Sequence, residues 1–521
     1  VQIVLSSGPV PFLSLLSLMQ ESLFPLLTFL SLSLSLSLSV SVDWVQTCQS
    51  TEDRLTQQRP LFFSSSSIPS SSDLISVHVD PSKRYQKILG FGGALTQSSA
   101  TVYKTLTKDL KKEVIDAYYS ESGLKYTTGR LPIHSCDFSV DVYTFDDVAD
   151  DVNLDYFDTA VTYDQNLSLP LIHDALASNP NLLLFGSPWS PPAWMKDNND
   201  MLYGGSLLDQ YRPSWASYFS KWITAYKNQN VPIWGVTVQN EPEASQTWES
   251  CLYTASEMSE FVGGYLGPVL QQDHPDVKIF GFDHNKDHIS DWADTLLSES
   301  SPSSRYIDGI AFHWYSGSCF ANVAAVYGKY PETILLPSEA CYELTVLEDD
   351  ASDEAWLVNG TWSKGEGYGY DIIGDLESGS AGWTDWNILL DSTGGPNHVD
   401  NFCDAAIIAS EDGLNVYYHP QYYYLGHFSR YLPPGAERVY HEVYSAADVQ
   451  STYEDCQWPY GGCDESTLHV TSWSVEDLEH DIVVIVMNCG GEDKMMNLTI
   501  DGVDGELINT VPAHSIQTYL I

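Results

Sequence analysis

Val231-Pro-Ile-Trp-Gly-Val-Thr-Val-Gln-Asn-Glu-Pro242 opens as an apolar, β-branched run of the composition a buried strand requires. It ends in an amide, a carboxyl and a proline that cannot extend a hydrogen-bond ladder. Parallel α/β barrels place their chemistry at the C-terminal tips of such strands, where Glu241 sits. Taken alone, Glu241 serves equally well as a cap for the segment that follows.

Similar apolar runs recur on both sides of this stretch, whose own strand is predicted at residues 233–238. They lie at residues 87–91, 126–131, 182–185, 277–282, 309–312, 334–336 and 382–386, and helical patterns such as 106–119, 214–229 and 255–271 separate them. Eight strands alternating with helices over roughly 340 residues predict an α/β fold, a (β/α)₈ TIM barrel with long loops, at residues 86–430. Beyond Pro433-Pro-Gly435 the period changes to short strands between Gly and Asp turns, at 468–473, 482–487, 496–500 and 517–521. These predict a β-sandwich over 431–521. Residues 43–85, with the alternating Ile75-Ser-Val-His-Val, are expected to add strands to it. The accessory domain is then built from both chain ends.

Met19 to about Val42, with its Leu-Ser repeat through Ser39, reads as a secretory signal peptide that follows a low-complexity segment, although Glu21 stands where a basic residue is expected. No later stretch approaches the ~20 apolar residues of a membrane span. Sequons at Asn166, Asn359 and Asn497 fit passage through the secretory pathway. The nine cysteines show no metal-type spacing. Cys456 and Cys463, close together in a Gly-rich loop, are expected to pair, whereas Cys136, Cys341 and Cys403 lie in apolar runs and are expected as buried free thiols.

The chain carries 23 Lys+Arg against 70 Asp+Glu, a formal net charge of −47. Such a surface repels phosphate backbones, which argues against nucleic acid as a partner. It suits an acidic compartment or a salty medium, and an uncharged or zwitterionic substrate.

The predicted strand ends gather polar groups. Strand 2 carries Arg130 and runs on to Asp137, strand 3 reaches Trp189, strand 4 ends in Asn240-Glu241, strand 6 in His313-Trp-Tyr315, strand 7 in Glu339 and strand 8 in Trp386. Two carboxylates facing each other across a barrel mouth suit glycosidic cleavage with retention, which needs an acid and a nucleophile ~5–5.5 Å apart. Glu241 and Glu339 supply that pair; the competing reading makes them structural partners of barrel arginines. Asn240 is placed for a sugar 2-hydroxyl, Asp137 for ring hydroxyls, and Trp189 and Trp386 for stacking on a pyranose. Tyr315 is expected to hydrogen-bond the nucleophile and Arg130 to orient it, with His313 in support.

Read together, these motifs resemble glycoside hydrolase family 30, nearest its lysosomal acid β-glucosidase branch. The resemblance rests on Gly90-Phe-Gly-Gly-Ala-Leu-Thr96, Ser135-Cys-Asp-Phe-Ser139, Ser187-Pro-Trp189, Asn240-Glu-Pro242, His313-Trp-Tyr315 and Ser338-Glu-Ala-Cys341. It continues through Gly382-Trp-Thr-Asp-Trp-Asn387, Gly394-Gly-Pro-Asn397 and Tyr424-Leu-Gly-His-Phe-Ser429. It implies Glu241 as acid/base, Glu339 as nucleophile, and glucose contacts from Asp137, Trp189, Asn240, Trp386 and Asn401. It implies no metal or organic cofactor.

The resemblance further implies hydrolysis of glucosylceramide or a related β-glucoside, reached at a membrane surface, by a lysosomal or extracellular enzyme. The sequence says nothing of an activator protein. The loop Glu243-Ala-Ser-Gln-Thr-Trp-Glu-Ser-Cys251 is shorter than expected of mammalian members, and Asp283-His-Asn285 is closer to microbial ones; both flank the leaving-group side. The alternatives are a family 30 β-1,6-glucanase or β-xylosidase and, from another class, a non-catalytic carbohydrate-binding protein.

Overall fold

The computed structural model describes residues 40–65, 74–344, 354–444, 456, 460–475 and 480–521. Eight parallel strands form the central sheet: β1 (Gly90–Ala94), β2 (Thr128–Ile133), β3 (Leu183–Pro188), β4 (Gly235–Thr237), β5 (Lys278–Asn285), β6 (Gly309–His313), β7 (Ile334–Glu339) and β8 (Gly382–Asp385). They follow one another in order, with β8 pairing β1. Hydrogen bonds from Ala381 N–H to the Leu335 carbonyl and from Trp386 N–H to the Ala340 carbonyl, at 2.9 and 2.8 Å, bring β8 against β7 and close the barrel. Phe185, Phe280, Ala311 and Leu336, from β3, β5, β6 and β7, form a buried cluster two or three residues before the polar strand ends. That layer fills the barrel beneath the polar strand ends, which gather at its C-terminal mouth.

The second domain is a mostly antiparallel ten-stranded sheet that folds over its own core of Val42, Val77, Val439, Val484, Leu498 and Tyr519. It is the expected sandwich, and it draws on both ends: Ser41–Cys48 pairs with Ser515–Leu520, and Leu74–Lys87 with Glu437–Tyr444. A further small sheet, Leu390–Asp391, Ile407–Ala409 and Val416–Tyr418, has no counterpart in the sequence reading. It brackets the segment that carries Asn401.

Several expectations need correction. The reading of Met19 to Val42 lies outside the described residues up to Ser39, but Ser41 and Val42 already belong to a sandwich strand, with Val42 fully buried. Lys87 ends a sandwich strand, so the first barrel strand starts at Gly90. The helix at 106–119 begins at Lys108, because Thr107 caps it by accepting from the Leu110 N–H, and Gln97–Thr105 forms a helix of its own. The pattern at 255–271 spans two α-helices joined by a π-helical turn, Val262–Leu266.

Cys456 does not pair with Cys463. Cys319–Cys456 and Cys463–Cys489 are the disulfides, since each partner comes from a segment distant in sequence but adjacent in the fold. Cys136, Cys341 and Cys403 are buried free thiols as expected. Asn497 is buried on strand Lys494–Ile500, where a glycan has no room, while Asn166 and Asn359 are exposed. Among the described residues no helix is long and apolar enough to cross a membrane.

Candidate active site

The chain leaves β4 under backbone control from both neighbours. Asn240 N–H donates to the Pro188 carbonyl at 2.8 Å and Glu241 N–H to the Asp283 carbonyl at 2.9 Å. Glu241 adopts a left-handed φ of 46°, a conformation that costs a non-glycine residue of order 1 kcal/mol and fixes the direction of its carboxyl. Glu339 closes β7 on the opposite side of the mouth. One carboxylate oxygen of Glu241 and one of Glu339 lie within 4.8 Å of each other. The Glu241 side chain is 17% exposed and that of Glu339 is 8% exposed.

Arg130, fully buried on β2, ties the strand ends together. Its Nη1 donates to the Ser338 carbonyl at 2.8 Å, and its Nη2 donates to Asn240 Oδ1 at 2.8 Å and to Asp283 Oδ2 at 2.9 Å. Nη1 also lies 3.3 Å from Glu339 Oε2, a charge contact without hydrogen-bond geometry. The planar guanidinium sits 5.2 and 5.6 Å from the rings of Trp189 and Trp386, which stack on each other with centroids 5.2 Å apart.

His313 ends β6 and bridges three carboxylates: Nδ1 is 3.3 Å from Glu241 Oε1 and 3.8 Å from Glu339 Oε1, and Nε2 is 3.1 Å from Asp283 Oδ1. Burial alone would push the imidazole down, but the charges of Glu339, Asp283 and Glu241 outweigh it and raise it to about 9. His313 is therefore a cation that donates from both nitrogens, and its 3.3 Å approach to Arg130 Nη1 is a donor–donor contact.

Burial and the negative charges of Glu241 and Asp283 raise Glu339, against the pull of His313 and Arg130. For Glu241 burial also pushes up, yet the His313 hydrogen bond and charge leave it lowered. Protons on two carboxyls this close belong to the pair.

The remaining predicted residues converge on the same cavity, of about 300 Å³, at the lower end of ligand-pocket sizes. Glu241, Glu339, Asp137, Trp189, Asn240, Tyr315, Trp386 and Asn401 all line it; Arg130 and His313 stand behind that wall. Tyr315 donates to Glu339 Oε1 at 3.0 Å. Asn401 donates to Asp137 Oδ2 at 3.0 Å, leaving Asp137 Oδ1 buried without a protein hydrogen-bond partner at the wall of the cavity. Burial and the charge of Glu339 hold the Asp137 carboxyl well above its usual range.

Asp283 escaped the sequence reading as a site residue. It accepts from Arg130, His313, Thr237 at 2.6 Å and Ser338 at 2.6 Å, and despite its burial Arg130 holds it well below the usual carboxylate range. The leaving-group side of the cavity adds Trp248, Tyr460, Gln246 and Glu343, which no strand-end argument could find because they stand on loops. Burial, then Glu241 and Glu339, push Glu343 up to about 7. Glu241, His313 and Glu339 have the spacing of metal ligands, yet both His313 nitrogens already serve carboxylates. The arrangement suits paired acid–base and nucleophilic work on a small polyhydroxylated ring.

A sequence profile described as the glycosyl hydrolase family 30 TIM-barrel domain matches residues 88–432. The lysosomal acid glucosylceramidase of Mus musculus is 33% identical over 85% of this chain and 82% of its own. The endo-1,6-beta-D-glucanase of Neurospora crassa is 26% identical over 87% and 89%. Among solved structures, SrfJ from Salmonella typhimurium superposes with a TM-score of 0.81 at 31% identity, covering 92% of this chain and 99% of that one.

Proposed function

This chain belongs to glycosyl hydrolase family 30, and on that premise we propose that it is a retaining β-glucosidase whose substrate is glucosylceramide. The observation that carries the reading is the approach of the Glu241 and Glu339 carboxylates to within 4.8 Å across one cavity. That distance leaves no room for the water an inverting enzyme interposes, at its ~6.5–9.5 Å separation. In this mechanism Glu339 attacks the anomeric carbon while Glu241 protonates the departing oxygen. Glu241 then takes a proton from water, which releases the sugar.

Charges within the protein favour the proton on Glu339, the reverse of these roles. Because the pair shares its protons, the developing positive charge on a bound sugar favours the Glu339 anion, with Arg130 and Tyr315 holding it, and sends the proton to Glu241. Asp137, Asn401 and Asn240 take the ring hydroxyls, and the Trp189–Trp386 stack provides a carbohydrate face.

A second reading, an endo-β-1,6-glucanase, is favoured by the polar rim. Gln246 and Glu343 beside Trp248 and Tyr460 suit a hydroxylated leaving group, and the Neurospora crassa relative carries that name. Two disulfides and the glucosylceramidase relative support a place in the secretory pathway, in a lysosome or outside the cell, with glucosylceramide met at a membrane surface.

Turnover of glucosylceramide, cellobiose, β-1,6-glucan and xylobiose at acidic pH separates the readings: preference for glucosylceramide is expected, and preference for the glucan installs the second. Glu339→Gln should lower turnover of every substrate by ~10³ or more, whereas Glu241→Gln should spare glucosides with activated leaving groups. Normal hydrolysis of an unactivated glucoside by the Glu339→Gln protein would overturn both.

A further inference from the structure

Two thiols stand beside the catalytic pair and take no part in the displacement. Cys341 follows Glu339 by two positions, and Cys403 follows Asn401 by two. Their sulfurs are 2.8 Å apart, and both residues line the cavity that holds Glu241 and Glu339. The backbones around them are already fastened. Glu343 and Cys403 form an antiparallel bridge, Leu344 N–H donates to the Phe402 carbonyl at 2.8 Å, and Asp404 N–H donates to the Tyr342 carbonyl at 2.8 Å. The Tyr315 hydroxyl that serves Glu339 is also 3.5 Å from Cys341 Sγ, so the thiol shares a partner with the nucleophile.

We propose that Cys341 and Cys403 form a dithiol site that closes to a disulfide by exchange with a small-molecule disulfide entering the sugar cavity, tying the Asn401 segment to the Glu339 strand end. The Cys341 thiolate attacks one sulfur of the reagent, whose S–S bond breaks, and the first thiol leaves with the proton that Cys341 gave up. The Cys403 thiol, losing its own proton, then displaces the second thiol from the mixed disulfide. Two protein thiols are oxidised and one reagent disulfide is reduced to two thiols, so atoms and electrons balance. The short sulfur–sulfur distance makes the second step intramolecular and the mixed disulfide short-lived.

Burial holds the Cys341 thiol up, to about 11, and pushes Cys403 well above its usual value, so attack runs through a small thiolate fraction and closure takes hours rather than seconds. Closing from 2.8 Å to a bond of ~2.05 Å draws the two segments together by several tenths of an ångström. The Asn401–Asp137 contact moves with them, and displacements approaching ~1 Å in a catalytic site cost up to 10²-fold in rate.

The test incubates the full chain with hydroxyethyl disulfide, alkylates it, and maps peptides without reduction. A Cys341–Cys403 linked peptide is expected, with a roughly tenfold fall in aryl β-glucoside turnover. Mild dithiothreitol should reverse both, and Cys403→Ser should show neither. Recovery of both cysteines alkylated, stable adducts of each with the reagent, or a linked peptide with unchanged turnover overturns the proposal. The peptide map of the unmutated protein decides the cross-link even if Cys403→Ser does not fold. Because that map reads no substrate, it stands apart from the choice of leaving group.

Discussion

Asp283 carries more of the site than either glutamate's immediate neighbours, because four buried donors point at its two oxygens. Asp283→Asn keeps the shape but leaves Arg130 and His313 short of a counter-charge, a change that costs about 3–5 kcal/mol when a buried pair is broken. Thermal unfolding should register that loss at neutral pH. The same network sets a pH dependence. The folded His313 is raised to about 9 from an unfolded value near 6.5, so its stabilisation is complete below ~6.5 and is lost as pH rises through 9. Its size is of order 3 kcal/mol, and His313→Gln should flatten the decline in stability between pH ~6.5 and ~9; a decline of unchanged slope would remove His313 as its source. Glu241, Glu339, Asn240, Trp189 and Trp386 were legible because a side chain at or just past a strand tip has little choice of direction, whereas Trp248, Tyr460, Gln246 and Glu343 stand on loops that strand order does not place. Asp283 sat in the same kind of place, but its importance lies in Arg130, Thr237 and Ser338, partners that only the closed barrel brings near.

Individual strands were legible wherever apolar runs were long, as in β5, and indistinct where glycine replaced them. β1 reads Gly-Phe-Gly-Gly-Ala, a composition that propensity disfavours. Its strand exists because close approach demands small residues: a Cβ on Gly92 would lie 2.1 Å from the Thr128 carbonyl. The same crowding acts on the outer face of β3, where a Cβ on Gly186 would come within 2.4 Å of the Trp222 ring, itself fully buried. Gly186→Ala should therefore destabilise by about 1–3 kcal/mol, read as a lower midpoint in urea with an unchanged slope. A neutral result would mean that the Arg212–Asn228 helix yields without loss. The cystine pairings were not legible, because Cys319 and Cys456 are 137 residues apart and spacing speaks only for neighbours.

Across the whole molecule the dominant quantity is charge. A formal −47 on 521 residues means that the folded surface repels itself, a penalty that salt screens within a Debye length of about 10 Å at 0.1 M. Raising sodium chloride from 0.02 to 0.5 M at pH 7, ~21 to ~4 Å in screening length, should raise the melting temperature by several degrees. A flat response would place the acidic groups too far apart to matter. The two-domain plan was legible from the change in period near Pro433. The ten-strand order was not, because pairing between the chain's ends leaves no mark in local sequence.

That pairing has a consequence in time. Within strand Ser41–Cys48, Asp43 to Cys48 pair with Ser515–Leu520, so a ribosome adding ~5–20 residues per second makes the first strand tens of seconds before its partner. The barrel's strands emerge in spatial order and can zip up as they appear, while the sandwich waits with an unpaired apolar edge. Nascent chains stalled before residue 515 should therefore hold a formed barrel and an open sheet that recruits chaperones.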